Sequence, residues 1–207
     1  MRKAGTFFMV IGAALLLAAL ALFALNQRED TAAAEAVVEV VPQLVEQIRE
    51  NTARETAPAA PELLVPEELL TAEDVQMEEV KIGGNGYIGY LSIPRLELEL
   101  PILGSWSYPK LQIAPCRFTG SIKGGDLVLM AHNYSSHFGR ISNLSPGDQV
   151  RFTDADGAVH CYEVVLEDLL EPTAVEEVIS GDFDLTLFTC TYGGGSRIVV
   201  YCDRVAE

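Results

Sequence analysis

The chain has 207 residues, enough for one domain with a sizeable core plus accessory segments. Its net charge of −16 argues against nucleic acid as a partner, because the phosphates would be repelled. The acidity is uneven: residues 26–85 carry 14 acids against 4 Lys/Arg, and residues 86–207 carry 16 against 8.

In chain order, the first element is apolar. "GTFFMVIGAALLLAALALFAL", residues 5–25, holds no charge and matches the thickness of a hydrocarbon core. Arg2 and Lys3 precede it, whereas Glu29 and Asp30 follow, so the basic residues 1–4 are expected on the cytoplasmic side and the remainder outside. The rival reading is a cleaved signal peptide with Ala19-Leu20-Ala21 near the cut, but the apolar run exceeds the usual h-region. A retained single-pass anchor in the cell membrane is the expectation. Residues 26–85 read as an acidic Ala/Glu/Pro-rich linker. "TAAAEAVVEVV" and "QLVEQIRE" each invite helical turns, and Pro42 is expected to break their continuity. "NTARETAPAAPE" has no apolar period and reads as unstructured tether. A lid over the domain is the competing role for this segment.

From residue 86 short apolar runs alternate with turn signals. "GYIGYLSI" and "LELELPI" read as strands around Pro94, and "DLVLMAH" as a continuous apolar strand. "DQVRFTD" and "VHCYEVVLEDL" flank "DADG", a hairpin with Gly157 in the left-handed position. "DLTLFTC" and "RIVVYCDRV" flank a glycine run as a second hairpin, while "FGRISNL" and "PTAVEEVI" suggest short helices. About eight strands over this length make an all-β domain, a closed or nearly closed barrel.

The chemistry concentrates at the strand ends. Four cysteines (116, 161, 190, 202) and three histidines (132, 137, 160) show no CxxC or HxxxH spacing, which disfavours zinc. Cys161 and Cys202 fall within strands, as packed small hydrophobes or one cross-strand bridge. Cys190 instead ends its strand at "TLFTCTYGGGSR", where the glycines allow close approach to the sulfur. Arg197 opens the partner strand, with a donor fork suited to a carbonyl or oxyanion. His132 ends another strand and can serve a nucleophilic thiol as proton donor.

These residues resemble the sortase family. "TLFTC" is similar to its TLxTC signature around the nucleophilic cysteine, and Arg197 stands where its arginine follows on the next strand. "LVLMAHNYSSHFGRISNLSPGDQVRF" resembles the family's histidine region, and "YIGYLSIPRLELELPIL" its opening strands. The likeness spans residues 86–207, with Ala131 standing where many members have glycine. It implies an eight-stranded sortase barrel with short helices behind one transmembrane helix and a linker. It also implies a reaction. Cys190 attacks the Thr–Gly amide of an LPxTG-like sorting signal on a secreted protein; His132 acts as general acid and base; Arg197 holds the peptide or the oxyanion; Thr189 offers that oxyanion a backbone or hydroxyl donor. The acceptor is a peptidoglycan-precursor amine or a pilin lysine, and no cofactor or metal is required. Calcium at Glu97/Glu99 or Asp154/Asp156 is a minor option. The short segment from Glu171 to Phe183 leaves no room for the long helical insertion of class B members, and the "HF" pattern and overall brevity look most like class D or E, with class A as neighbour. His137 reads as a packing or helix-start residue and His160 as exposed. A non-enzymatic peptide- or pilin-binding barrel is the alternative. A papain-like peptidase is rejected, because here the histidine precedes a strand-borne cysteine.

Overall fold

The computed structural model describes residues 2–55, 77–180 and 182–205. An N-terminal helix α1 (Arg2–Glu55) precedes nine strands: β1 (Val80–Ile82), β2 (Asn85–Ile93), β3 (Leu98–Leu103), β4 (Cys116–Thr119), β5 (Leu127–Met130), β6 (Gln149–Asp154), β7 (Val159–Leu170), β8 (Leu185–Cys190) and β9 (Arg197–Arg204). Two single-turn helices, α2 (Tyr108–Leu111) and α3 (Val175–Val178), sit in the connections.

Strands β2 to β9 close into an eight-stranded barrel in the order β2-β3-β4-β5-β8-β9-β7-β6, with β6 pairing back onto β2. The short β1 lies outside that ring and pairs with the start of β2, Val80 opposite Tyr87. Closure leaves no long free edge. Alternation along each strand sends one set of side chains inward. Leu91, Leu100, Leu127, Leu129, Phe152 and Val200 fill the interior, all fully buried.

The expected local elements are present. Pro94 opens a 3₁₀ turn between β2 and β3, and Gly157 turns the β6–β7 hairpin at φ 85°. "FGRISNL" gives only the 3₁₀ turn Ile141–Asn143, and "PTAVEEVI" gives α3.

The helix departs from expectation. Pro42 does not break it; α1 runs through that position unbroken. Pro42 lies on the exposed face, so the carbonyl of Val38 that loses its partner is open to water. On the opposite face Ala33, Leu44 and Ile48 are buried, while Val37 and Val40 pack beside core residues. Positions 33, 37, 40, 44 and 48 form one stripe at helical spacing. Each fully buried aliphatic side chain contributes about 1.5–3 kcal/mol, so two or three outweigh the ~3 kcal/mol cost of an interior proline. The stripe docks on β1, β2 and β3. Farther along, Thr52 donates its hydroxyl to the Asp156 carbonyl of the β6–β7 hairpin at 2.9 Å. The first thirty residues of the expected tether are therefore helix held on the barrel; from residue 56 the tether expected at "NTARETAPAAPE" lies outside the described residues.

Near the other end of α1, an 18-residue window reaches a mean hydropathy of 2.7 with none of it buried. Leu15, Leu16, Leu17, Leu20 and Leu22 are each about two-thirds exposed. A helix apolar all round and this exposed is long enough to span a membrane.

Candidate active site

Three adjacent strands build the site. β8 runs parallel to β5, with Met130 opposite Phe188, and antiparallel to β9, with Cys190 opposite Arg197. Two residues beyond the Met130–Phe188 pair, the same register sets His132 level with Cys190. Side-chain alternation fixes the face. Leu185 and Leu187 of β8 point into the barrel, as do Leu127, Leu129 and Ala131 on the β5 side and Ile198, Val200 and Cys202 of β9. Cys190, His132 and Arg197 have the opposite parity and share the outer face at one end. The structure thus sets Cys190 directly opposite Arg197, with His132 two residues past the end of the neighbouring β5.

Thr189 engages its hydroxyl within the fold, which leaves its backbone as the donor of the two expected for the oxyanion. Its side chain is 1% exposed, and its hydroxyl donates to the Ala131 carbonyl at 2.9 Å. A hydroxyl has one proton, so this one is committed to the fold and not to an oxyanion. With the Ala131 N–H donating to the Phe188 carbonyl at 3.2 Å, it ties the backbone before His132 to the backbone before Cys190. Ala131 itself packs in the core, so the departure from glycine is accommodated by an inward methyl group.

The glycine run after Cys190 forms an open turn. The Gly194 N–H donates to the Thr191 carbonyl at 2.9 Å, and Gly193 and Gly194 take φ of 82° and 72°. These are left-handed conformations that favour glycine. A Cβ at either position would meet nothing within 4 Å, so the turn itself stands open. Arg197 Nη1 donates to the carbonyls of Gly194 and Ser196 at 3.4 and 3.3 Å. Among the described residues Arg197 forms no ion pair, which leaves a cation beside Cys190 uncancelled by any carboxylate.

The His132 ring packs at a tilt against Tyr134, ring centroids 4.9 Å apart. Burial lowers its pKa below the ordinary histidine value, and the Glu29 carboxylate partly offsets this. His137 is wholly buried behind Tyr134, at 5.5 Å between centroids. Burial first, and His132 second, push its pKa from 6.5 down to about 4. It is a packing residue held neutral. The consequence is acid sensitivity. Between pH 6.5 and 4 the unfolded chain binds a proton that the native state refuses, so stability falls as pH falls through that window, by about 3 kcal/mol in all. His137→Phe should keep the fold at pH 7 and remove this increment, read as the difference in denaturant midpoint between pH 7 and pH 4.5. An unchanged acid slope in the variant would exclude His137 as its source.

The remaining cysteines are free thiols, so the bridge considered for Cys161 and Cys202 is not formed. Cys202 faces the barrel interior, opposite Val164 and Leu185, whereas Cys161 pairs with Arg151. Cys116 and Cys202 are fully buried, and burial pushes each thiol up to about 12. Far from the site, His160 is half-buried rather than exposed, with Nε2 2.8 Å from Asp154 Oδ2. The other Asp154 oxygen accepts the N–H groups of Asp156 and Ala158, so this carboxylate is already engaged where calcium was considered.

Sequence reasoning missed two features. Below the three site residues the same outer face carries Val128, Phe188, Val199 and Tyr201, an apolar floor bordered by Phe118. Phe118 stacks edge-on to Phe188 at 5.4 Å and leads to Trp106 at 5.9 Å, which is 42% exposed. The other is Glu29 and Asp30 of α1, which bond to the loop after His132. The parity of "TLFTC" signalled the floor; nothing local to the histidine loop signalled its helix partner.

The strand order and the closed eight-stranded ring match one known architecture. A profile of the Sortase domain matches residues 91–205. Sortase C from Clostridium perfringens SM101 is 26% identical, with a TM-score of 0.53 over 82% of this chain and 91% of that one. A structure of Clostridium perfringens sortase C with the C-terminal cell wall sorting motif gives 26% identity and a TM-score of 0.54 over the same shares, 82% and 91%. Sortase C1 from Streptococcus agalactiae superposes with a TM-score of 0.56 at 23% identity, covering 80% of this chain and 90% of its own. No protein of curated function matches the chain. These structures are sortase C, so the class D or E likeness read from the brevity of the chain gains no support from them. More than half of the chain, including Cys190, His132 and Arg197, lies inside the matched profile, and the protein belongs to the sortase family.

Proposed function

We propose that this sortase is a membrane-anchored cysteine transpeptidase acting on secreted proteins with an LPxTG-like C-terminal sorting signal. The observation that carries the reading is the register of β5, β8 and β9, which sets His132, Cys190 and Arg197 on one outward face at one barrel end. The Cys190 thiolate attacks the threonine carbonyl, and the electron pair of the scissile C–N bond leaves with the glycine nitrogen. His132 supplies the proton that nitrogen takes, giving a free amine and a thioester. The incoming amine then attacks the thioester, surrenders its proton to His132, and the thiolate departs. Arg197 donates to the oxyanion of both tetrahedral intermediates. Each role belongs to a side chain of the protein, so the reaction is proposed to need no cofactor or metal. The acceptor is a primary amine, from a peptidoglycan precursor or a pilin lysine. Arg2 and Lys3 place the N-terminus in the cytoplasm and the barrel outside, with residues 5–25 retained in the membrane.

The alternative is a barrel that binds sorting signals without cleaving them. The two readings part at the covalent step. Mass spectrometry of the full-length protein in detergent, mixed with a sorting peptide and quenched in acid, should show an adduct carrying the peptide up to threonine. Hydroxylamine should release that adduct as a hydroxamate. A protein that binds the peptide, cleaves none of it and forms no adduct is the adapter.

A further inference from the structure

The histidine loop is held from an unexpected direction. Tyr134 Oη donates to Glu29 Oε2 at 3.4 Å, and the Ser135 hydroxyl donates to Asp30 Oδ2. The Ser136 N–H donates to Asp30 Oδ1 at 3.3 Å, and its hydroxyl to the same oxygen at 3.1 Å. The partners of this acidic pair are neutral hydroxyls and a backbone N–H, so geometry and not gross charge makes the contact. The loop is compact: the Phe138 N–H donates back to the His132 carbonyl at 3.3 Å, and the Gly139 N–H to the Tyr134 carbonyl at 2.9 Å. Asp30 stands three residues before Ala33, on the same helical stripe as Val37, Val40, Leu44 and Ile48. Docking of that stripe therefore fixes where Asp30 meets the loop.

We infer that Glu29 and Asp30 are positioning residues for His132, and that α1 is part of the active site through its hold on residues 134–136. Asp30 sets the loop, Tyr134 carries that placement to the imidazole ring, and Glu29 fixes the tyrosine hydroxyl while lending negative potential to His132. The inference rests on the assignment of His132 as acid and base. Its geometry has a second consequence. Only about 6 Å of helix separates Leu25, the last apolar residue of the span, from Glu29. The catalytic loop is thereby tied to the membrane surface, where a sorting signal with its own apolar segment would be presented.

Besides Glu29, Tyr134 packs on the His132 ring and His137 lies within electrostatic reach of it, while Cys190 and Arg197 stand at the strand ends beyond; the loop and β8 carry no carboxylate, and Asp203 of β9 lies at the far end of its strand, opposite Glu163. The test uses full-length protein in detergent micelles. In a Cys190→Ala background, the His132 imidazole is titrated by NMR with and without Glu29→Gln. Loss of the carboxylate should move the midpoint to lower pH, since a negative neighbour favours the protonated ring. In the active protein, Asp30→Ala and the pair Ser135→Ala/Ser136→Ala should each lower kcat about five- to tenfold, the equivalent of one typical net hydrogen bond, with KM little changed. Combining them should cost no more than either, because they remove one shared contact. Asp30→Asn retains an acceptor oxygen and should restore part of the loss, while Glu39→Gln, on the exposed face, should change nothing. An unmoved midpoint in Glu29→Gln together with wild-type kcat in Asp30→Ala would overturn the inference. The titration is read on inactive protein, so its result is independent of the proposed reaction. Failure of that reaction shows instead as wild-type protein that cleaves no peptide.

Discussion

Replacing Cys190 with alanine is expected to abolish both cleavage of a sorting peptide and transfer of its acyl portion to an amine. Deletion of a nucleophile in an acyl-transfer enzyme typically costs on the order of 10⁶ in turnover. The expectation is specific to this sulfur because the other three are placed elsewhere. Cys116 and Cys202 are wholly buried, and their thiols are pushed up to about 12, so they offer almost no thiolate near neutrality. Cys161 is more accessible, but it stands opposite Arg151 on β7, away from His132 and Arg197. Cys116→Ala, Cys161→Ala and Cys202→Ala should therefore retain substantial activity. The two buried changes each leave a small cavity and should lower the melting temperature modestly. Rates on one fluorogenic peptide, with product analysis in the presence of an added amine, decide the matter. Wild-type cleavage by Cys190→Ala would dismantle the mechanism.

Much of this site was legible because strand alternation is a strict code. Once "TLFTC" and "RIVVYCDRV" are read as a hairpin around "TYGGGS", Cys190 and Arg197 must face each other across the pair. The inward Leu185, Leu187, Val200 and Cys202 then dictate that both polar side chains point out. His132 required one further step, a parallel pairing of β5 with β8, which no local pattern specifies. The helix was misjudged for a physical reason. Pro42 was weighed by its intrinsic cost, yet its consequence depends on which face it occupies, and that is set by the barrel surface on which Leu44 and Ile48 land. The stripe 33, 37, 40, 44, 48 was present in the sequence, but an apolar stripe does not name its partner. The same limit hid Asp30, whose hydroxyl partners lie 105 and 106 residues away. The Thr189 hydroxyl shows the reverse case. Its position beside the nucleophile suggested a donor to the substrate, while its parity already turned it inward, toward Ala131.

Arg197→Lys is expected to lower kcat about 10²- to 10³-fold, the usual cost of losing one donor to an oxyanion. Charge alone would predict a mild effect, so geometry has to carry the difference. The Arg197 guanidinium already gives Nη1 to the Gly194 and Ser196 carbonyls, which fixes its plane within the glycine turn beside Cys190. A planar fork can keep that anchor and still present other N–H groups toward the sulfur's side of the strand pair. A lysine ammonium is a single centre on a flexible stem. Held by the turn carbonyls, it leaves the oxyanion unserved; turned to the oxyanion, it leaves the carbonyls of an open turn to water. Because the donor acts on charge that develops only in the tetrahedral intermediate, the loss should fall on kcat more than on KM. Steady-state kinetics on one sorting peptide measures it. The rate at which Cys190 reacts with iodoacetamide, compared with wild type, shows whether the turn has merely collapsed. An intact alkylation rate with a 10²-fold lower kcat would place Arg197 on the oxyanion, and near-normal turnover in the lysine variant would remove it from the chemistry.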